Sequence, residues 1–157
     1  RNKDLALTSF KKVSSAIEIL SEKEGDFDCQ VMVDLKADYA LVPFSLHSNQ
    51  VIETSFFNEK LIKPAALCRH QACLCLCYIG DNLEEDDCLK RAEACFPYPE
   101  DKVTSLTAPQ EGIIHSESKY LKSNFYLNYL SLAKRGTSFE IKPLTSSNLD
   151  HCEYSLE

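Results

Sequence analysis

Apolar positions recur at three- and four-residue spacing near the start of the chain and at two-residue spacing soon after. That change of period predicts one helix followed by strands. Over residues 4–24, Phe10, Val13, Ile17 and Leu20 form one stripe, while Lys11, Lys12, Glu18 and Glu22 face away. Thr8 or Ser9 can cap an inner start, and Gly25 is a natural stop. From Asp28 onward Cys29, Val31, Val33 and Leu35 share one strand face, with Gln30 and Met32 on the other. Further strands are expected over 39–46, 51–57 and 61–67, with turns at 47–50 and 58–60. Residues 28–67 therefore read as a β-meander, in which Pro43 argues for an edge or a bulge and Pro64 limits regularity.

Residues 68–95 form a cysteine-rich block holding Cys68, Cys73, Cys75, Cys77, Cys88 and Cys95. Cys73, Cys75 and Cys77 alternate with Leu74 and Leu76, so on a strand the three sulfurs project from one face and the leucines from the other. Neighbours two apart on one face have near-parallel Cα–Cβ vectors, a poor geometry for bridging each other. Each should reach a different partner among Cys29, Cys68, Cys88, Cys95 and Cys152, leaving two of those to pair together. Cys29 is expected to bridge to this central strand, and Cys152 to pin the tail to the sheet.

The β-rich part, 96–144, opens on a stiff loop over 96–101 set by Pro97 and Pro99, followed by short strands over 103–106 and 112–115. Residues 123–134 fit either a helical stripe or a strand. The density of aromatics, and a run through Lys134, Arg135 and Gly136 into 137–141, favour a strand and hairpin. The polar tail, 145–157, is held only if Cys152 ties it down. The expected fold is a single α+β domain: an N-terminal amphipathic helix packed on a mostly antiparallel β-sheet and stapled by disulfides.

Composition narrows the function classes. A chain of 157 residues, 44% apolar and 26% charged, can bury a sizeable core, and its apolar runs are too short to span a bilayer. A formal charge of −7 argues against nucleic acid, whose phosphates need clustered Lys and Arg. The chain opens on Arg1, and a signal peptide or a membrane anchor ahead of it would both fit. No Asn-x-Ser/Thr sequon occurs.

Eight cysteines, an even and dense count, point to an oxidising compartment and to disulfides at Cys29, Cys68, Cys73, Cys75, Cys77, Cys88, Cys95 and Cys152. Metal ligation by the same thiols is the alternative, although no Cys-x-x-Cys knuckle is present. The acidic run with Asp81, Glu84, Glu85, Asp86 and Asp87 could hold a hard cation through Asp81, Glu84, Asp86 and Asp87. It lacks the spacing and glycine of an EF-hand, so a solvated loop is favoured. His47, His70, His115 and His151 are scattered, and no nucleophile, zinc-protease or phosphate-loop motif occurs, so neither an enzyme nor a cofactor is expected.

The order of FKKVSSAIEIL, DFDCQVMVDL, ALCRHQACLCLCYIGD and FYLNYLSLAKRGTSFEI resembles small exported, cysteine-containing surface proteins of uncultivated archaea. In that group an anchor helix precedes a β-rich outer domain bridged through a Cys-Leu-Cys strand. The plan is also similar to pilin-type filament subunits, by layout only. The chain departs from the pattern in its third alternating cysteine, Cys77. The resemblance implies location more than function; with the stapled α+β plan, the expectation is an extracellular structural or binding module, such as a subunit of a surface filament, sheath or envelope complex. Protein partners or self-assembly are then expected, no nucleic acid, and membrane contact only through a segment ahead of Arg1. Phe125, Tyr126 and Tyr129 are candidate interface residues, since aromatics are enriched at interfaces. A secreted metal- or ligand-binding protein using the acidic loop or the cysteines is the alternative.

Overall fold

The computed structural model describes residues 2–35, 39–48, 51–54, 59–78, 92–108, 112–115, 129–144 and 148–156. Helix α1 (Asn2–Ser21) buries Phe10, Val13, Ile17 and Leu20, the predicted stripe, together with Ala6 and Ala16. It ends four residues before Gly25, whose φ of 99° turns the chain into strand β1 (Phe27–Met32).

The strands do not run as a meander. β1 pairs antiparallel with β9 (Tyr129–Arg135), a hundred residues downstream, rather than with its successor. β9 turns back into β10 (Ser138–Pro143) through a two-residue loop with Gly136 first at φ 63°, the II′ arrangement that matches strand twist. β10 pairs in parallel with β7 (Ser105–Thr107), completing the first sheet in the order β1-β9-β10-β7. A second sheet, wholly antiparallel, has the order β6-β5-β2-β8: β6 (Ala92–Tyr98), β5 (Ala72–Tyr78), β2 (Tyr39–Phe44) and β8 (Ile114–His115). β3 (Val51–Thr54) and β4 (Glu59–Ile62) make a separate hairpin. The helix, two mostly antiparallel sheets and disulfides give the α+β class expected.

The meander expectation for 28–67 fails because alternation specifies faces, not neighbours. The buried faces of β1 and β2 meet across the core instead of lying side by side. One core packs α1 against Val31, Leu130, Leu132, Phe139 and Ile141 of the first sheet and against Leu41, Leu74, Leu76 and Tyr98 of the second. A smaller cluster lies on the other face of the second sheet: Ala40, Val42, Phe44, Cys68, Cys73, Cys75, Cys77 and Ile113.

Two proline readings are resolved by position in the sheet. Pro43 lies beyond the two residues of β2, Ala40 and Leu41, that β8 covers. Phe96, Pro97 and Tyr98 are not the start of a loop but the end of β6. β6 is an edge strand, where a missing N–H costs no ladder bond on the open side. The stretch 61–67 is divided: β4 stops at Ile62, and Pro64 precedes a single helical turn, α2 (Ala65–Cys68). Pro64 has the extended backbone and fixed φ suited to a helix start.

Candidate functional site

The alternation along β5 is realised in three dimensions. Leu74 and Leu76 enter the helix-facing core, while Cys73, Cys75 and Cys77 enter the opposite cluster, all fully buried. α2 delivers Cys68 beneath this face, and Arg69 and His70 then turn the chain into β5 with φ of 53° and 58°. Left-handed backbone at two consecutive non-glycine residues is strained. Here the strain is held by the Gln71 amide donating to the Cys68 carbonyl at 2.9 Å and by the bridge from Cys68 to Cys73.

Each β5 cysteine takes a different partner, as the common face requires. Cys73 bonds Cys68, and Cys75 bonds Cys95, its direct cross-strand partner on β6. Their Cα atoms lie 4.1 Å apart, the close spacing of facing strand residues. Cys77 is also disulfide-bonded, and no described cysteine is free. Cys88 lies outside the described residues.

The expected bridge from Cys29 to β5 is not made; Cys29 bonds Cys152, across a sequence separation of 123. The faces explain the correction. Cys29 belongs to the helix-facing core of the first sheet, whereas the β5 cysteines point away from that core. Cys152 does pin the tail, though to β1. Gln30 donates from its amide to the Asp150 carbonyl at 2.8 Å and from Nε2 to the Leu149 carbonyl at 2.5 Å, and the Cys152 amide donates to the Gln30 carbonyl at 2.8 Å. Gln30 is thereby buried, although alternation put it on the outer face.

The two neighbouring bridges place four sulfurs, of Cys68, Cys73, Cys75 and Cys95, within 4.8 Å of one another. Between bridges, the Cys75 Sγ lies 3.6 Å from the Cys73 Sγ and 3.8 Å from the Cys68 Sγ. Sequence reasoning separated disulfide from metal but did not foresee that two bridges would touch. The five-residue spacing of Cys68 and Cys73 across a proline-initiated turn was the available signal.

Of the candidate interface residues, Tyr129 opens β9 opposite Met32, its partner in the β1 ladder. Met32 is half exposed, and the Tyr129 ring lies 6.4 Å from that of His151. Phe125 and Tyr126 lie outside the described residues, as do Asp81, Glu84, Glu85, Asp86 and Asp87. Met32 also lines a cleft of about 350 Å³ between α1 and β1, with Leu5, Lys12 and Asp34. The histidines sit on four separate segments: His47 in the turn after β2, His70 before β5, His115 ending β8 and His151 in the tail. A smaller cleft of about 190 Å³ holds His70 and Lys63, whose ammonium donates to the carbonyls of Ser45 and Leu46. Burial pushes the Lys63 ionisation down.

No described helix is long and apolar enough to cross a membrane. Comparison with known protein families, with characterised proteins and with solved structures finds no match.

Proposed function

We propose that this chain is an extracellular structural module that assembles with copies of itself or with protein partners at a cell surface. The carrying observation is the bonding of every described cysteine, with bridges tying the tail to β1, the α2 turn to β5 and β5 to β6. Such cross-linking persists in an oxidising compartment and favours durability over motion. The helix-first, disulfide-stapled layout, similar to pilin-type subunits, and the resemblance to exported archaeal surface proteins support the same reading. Met32, which lines the α1–β1 cleft, and Tyr129, its partner across β1 and β9, are the proposed contact residues.

A membrane-impermeant amine-reactive cross-linker applied to intact producing cells tests location and assembly together. Labelling before lysis, with cross-linked species above the monomer, is expected. Labelling that appears only after lysis would remove the surface location. Single monomers at every protein concentration, by sedimentation velocity and in the cross-linked sample, would remove assembly.

A further inference from the structure

We infer that the sulfurs of Cys68, Cys73, Cys75 and Cys95 form a tetrathiolate site for a soft divalent cation, zinc foremost, once their two disulfides are reduced. The same side chains then serve as two covalent staples in one redox state and as one metal centre in the other.

The geometry carries this. A tetrahedral zinc site has Zn–S bonds of about 2.3 Å, which sets its sulfur–sulfur edges near about 3.8 Å. Two of the four edges between the bridges, 3.6 Å from Cys75 to Cys73 and 3.8 Å from Cys75 to Cys68, already have that length. All four sulfurs lie within 4.8 Å of one another. The two bonded edges open when the bonds break, and the edges from Cys95 to Cys68 and Cys73 lie within the same 4.8 Å. The ligands come from three packed segments: α2, one face of β5, and the facing position of β6. Their arrangement is therefore set by the fold rather than by the bridges alone.

Three ligands are fully buried among Ala40, Val42, Phe44 and Ile113, an apolar shell that excludes competing water. Cys77, next on the same face, is not one of the four.

The chemistry balances with a dithiol as reductant. Each disulfide accepts two electrons and two protons from one dithiol, which leaves as a cyclic disulfide. The four thiols then lose four protons as four zinc–sulfur bonds form. Cys95, the least buried of the four, is where the reductant enters. Attack there releases the Cys75 thiolate, which already lies within contact of the second bridge.

The test uses the full chain, reduced without oxygen by a dithiol, freed of reductant, and alkylated with or without zinc. Mass-spectrometric mapping should show Cys68, Cys73, Cys75 and Cys95 slowed at least tenfold by zinc, with Cys29, Cys77, Cys88 and Cys152 unchanged. Cobalt added instead should give the visible spectrum of tetrahedral sulfur coordination at one ion per chain. Cys75→Ser should abolish it, and Cys29→Ser should keep it. Equal alkylation with and without zinc overturns the inference, as does protection falling on a different set. The mapping needs no substitution, so misfolding of a variant does not alter its outcome. It is read independently of whether the chain assembles at a surface.

Discussion

Tyr98 ties β6 to α1 through one hydrogen bond in a fully enclosed setting, its hydroxyl donating to the Ser14 carbonyl at 2.9 Å. Burial first, and the negative charge of Glu18 second, push its ionisation well above the usual tyrosine range. The unfolded chain releases this proton near about pH 10, whereas the folded chain holds it to higher pH. Stability is thus intact below that value and falls as pH rises from it toward the folded one. Tyr98→Phe should cost about 1 kcal/mol at neutral pH and flatten the fall above about pH 10, read by denaturant titration at each pH. An unchanged alkaline slope in the variant would assign the fall to other groups. Lys134 is a second such anchor, buried on β9, with its ammonium donating to the Lys23 carbonyl just past α1 and lying 5.6 Å from the Phe27 ring centre. Lys134→Met keeps the stem but loses a charged hydrogen bond, worth about 1.5–3 kcal/mol. Its expected effect is a lower denaturation midpoint with an unchanged m-value. Neither partner was visible in the sequence, since each lies in a distant segment that periodicity does not join.

At the scale of elements, alternation made the faces legible and left the neighbours open. The helix stripe and the two faces of β5 emerge as read, because burial follows period directly. The pairing of β1 with β9 does not, because a strand's period carries no address for its partner. Pro97 misled for a related reason: proline excludes a central strand and is harmless on the edge strand β6. The α2 turn, four residues long, is too short for any periodic signal. These differences affect the bridges. In the chain-entropy account, a link closing 123 residues stabilises more than one closing 20: about 4–5 against about 3 kcal/mol. Cys29→Ala/Cys152→Ala should therefore lower Tm by roughly 10–15 °C, and Cys75→Ala/Cys95→Ala by less. The reverse order in calorimetry would show that strain or residual structure outweighs loop length. The first variant also loosens the tail from β1, so faster exchange of the Gln30 and Cys152 amides is expected.

Across the whole molecule, two sheets share one helix, and only one of them carries cysteines on its outer face. An even count of eight pointed to complete pairing, and the described cysteines are all bonded. Three bridges account for six of them, and by count Cys88 is the cysteine left for Cys77. Peptide mapping of the oxidised, unreduced protein is expected to return a Cys77–Cys88 peptide. Denatured but unreduced, the chain should expose no titratable thiol, and even one would show that a bridge forms only part of the time. The contact between two of those bridges was illegible for the same reason as the strand pairing. Spacing shows which sulfurs share a face, but the β5–β6 register and the α2 turn decide which ones touch.

The Cys29–Cys152 bond has a mechanical meaning as well as a thermodynamic one. A pull entering ahead of Cys29 and leaving beyond Cys152 runs through one covalent bond and by-passes nearly all of both sheets and the cysteine cluster on the far face of the second. Held in series with other molecules, the protein would stay folded under loads that peel hydrogen-bonded strands apart. Only α1, the first two residues of β1 and the short tail lie in the line of force. Reducing that bond would put the entire β-structure under tension and add about 400 Å of extensible chain, at about 3.4 Å for each of the 123 steps it now shields.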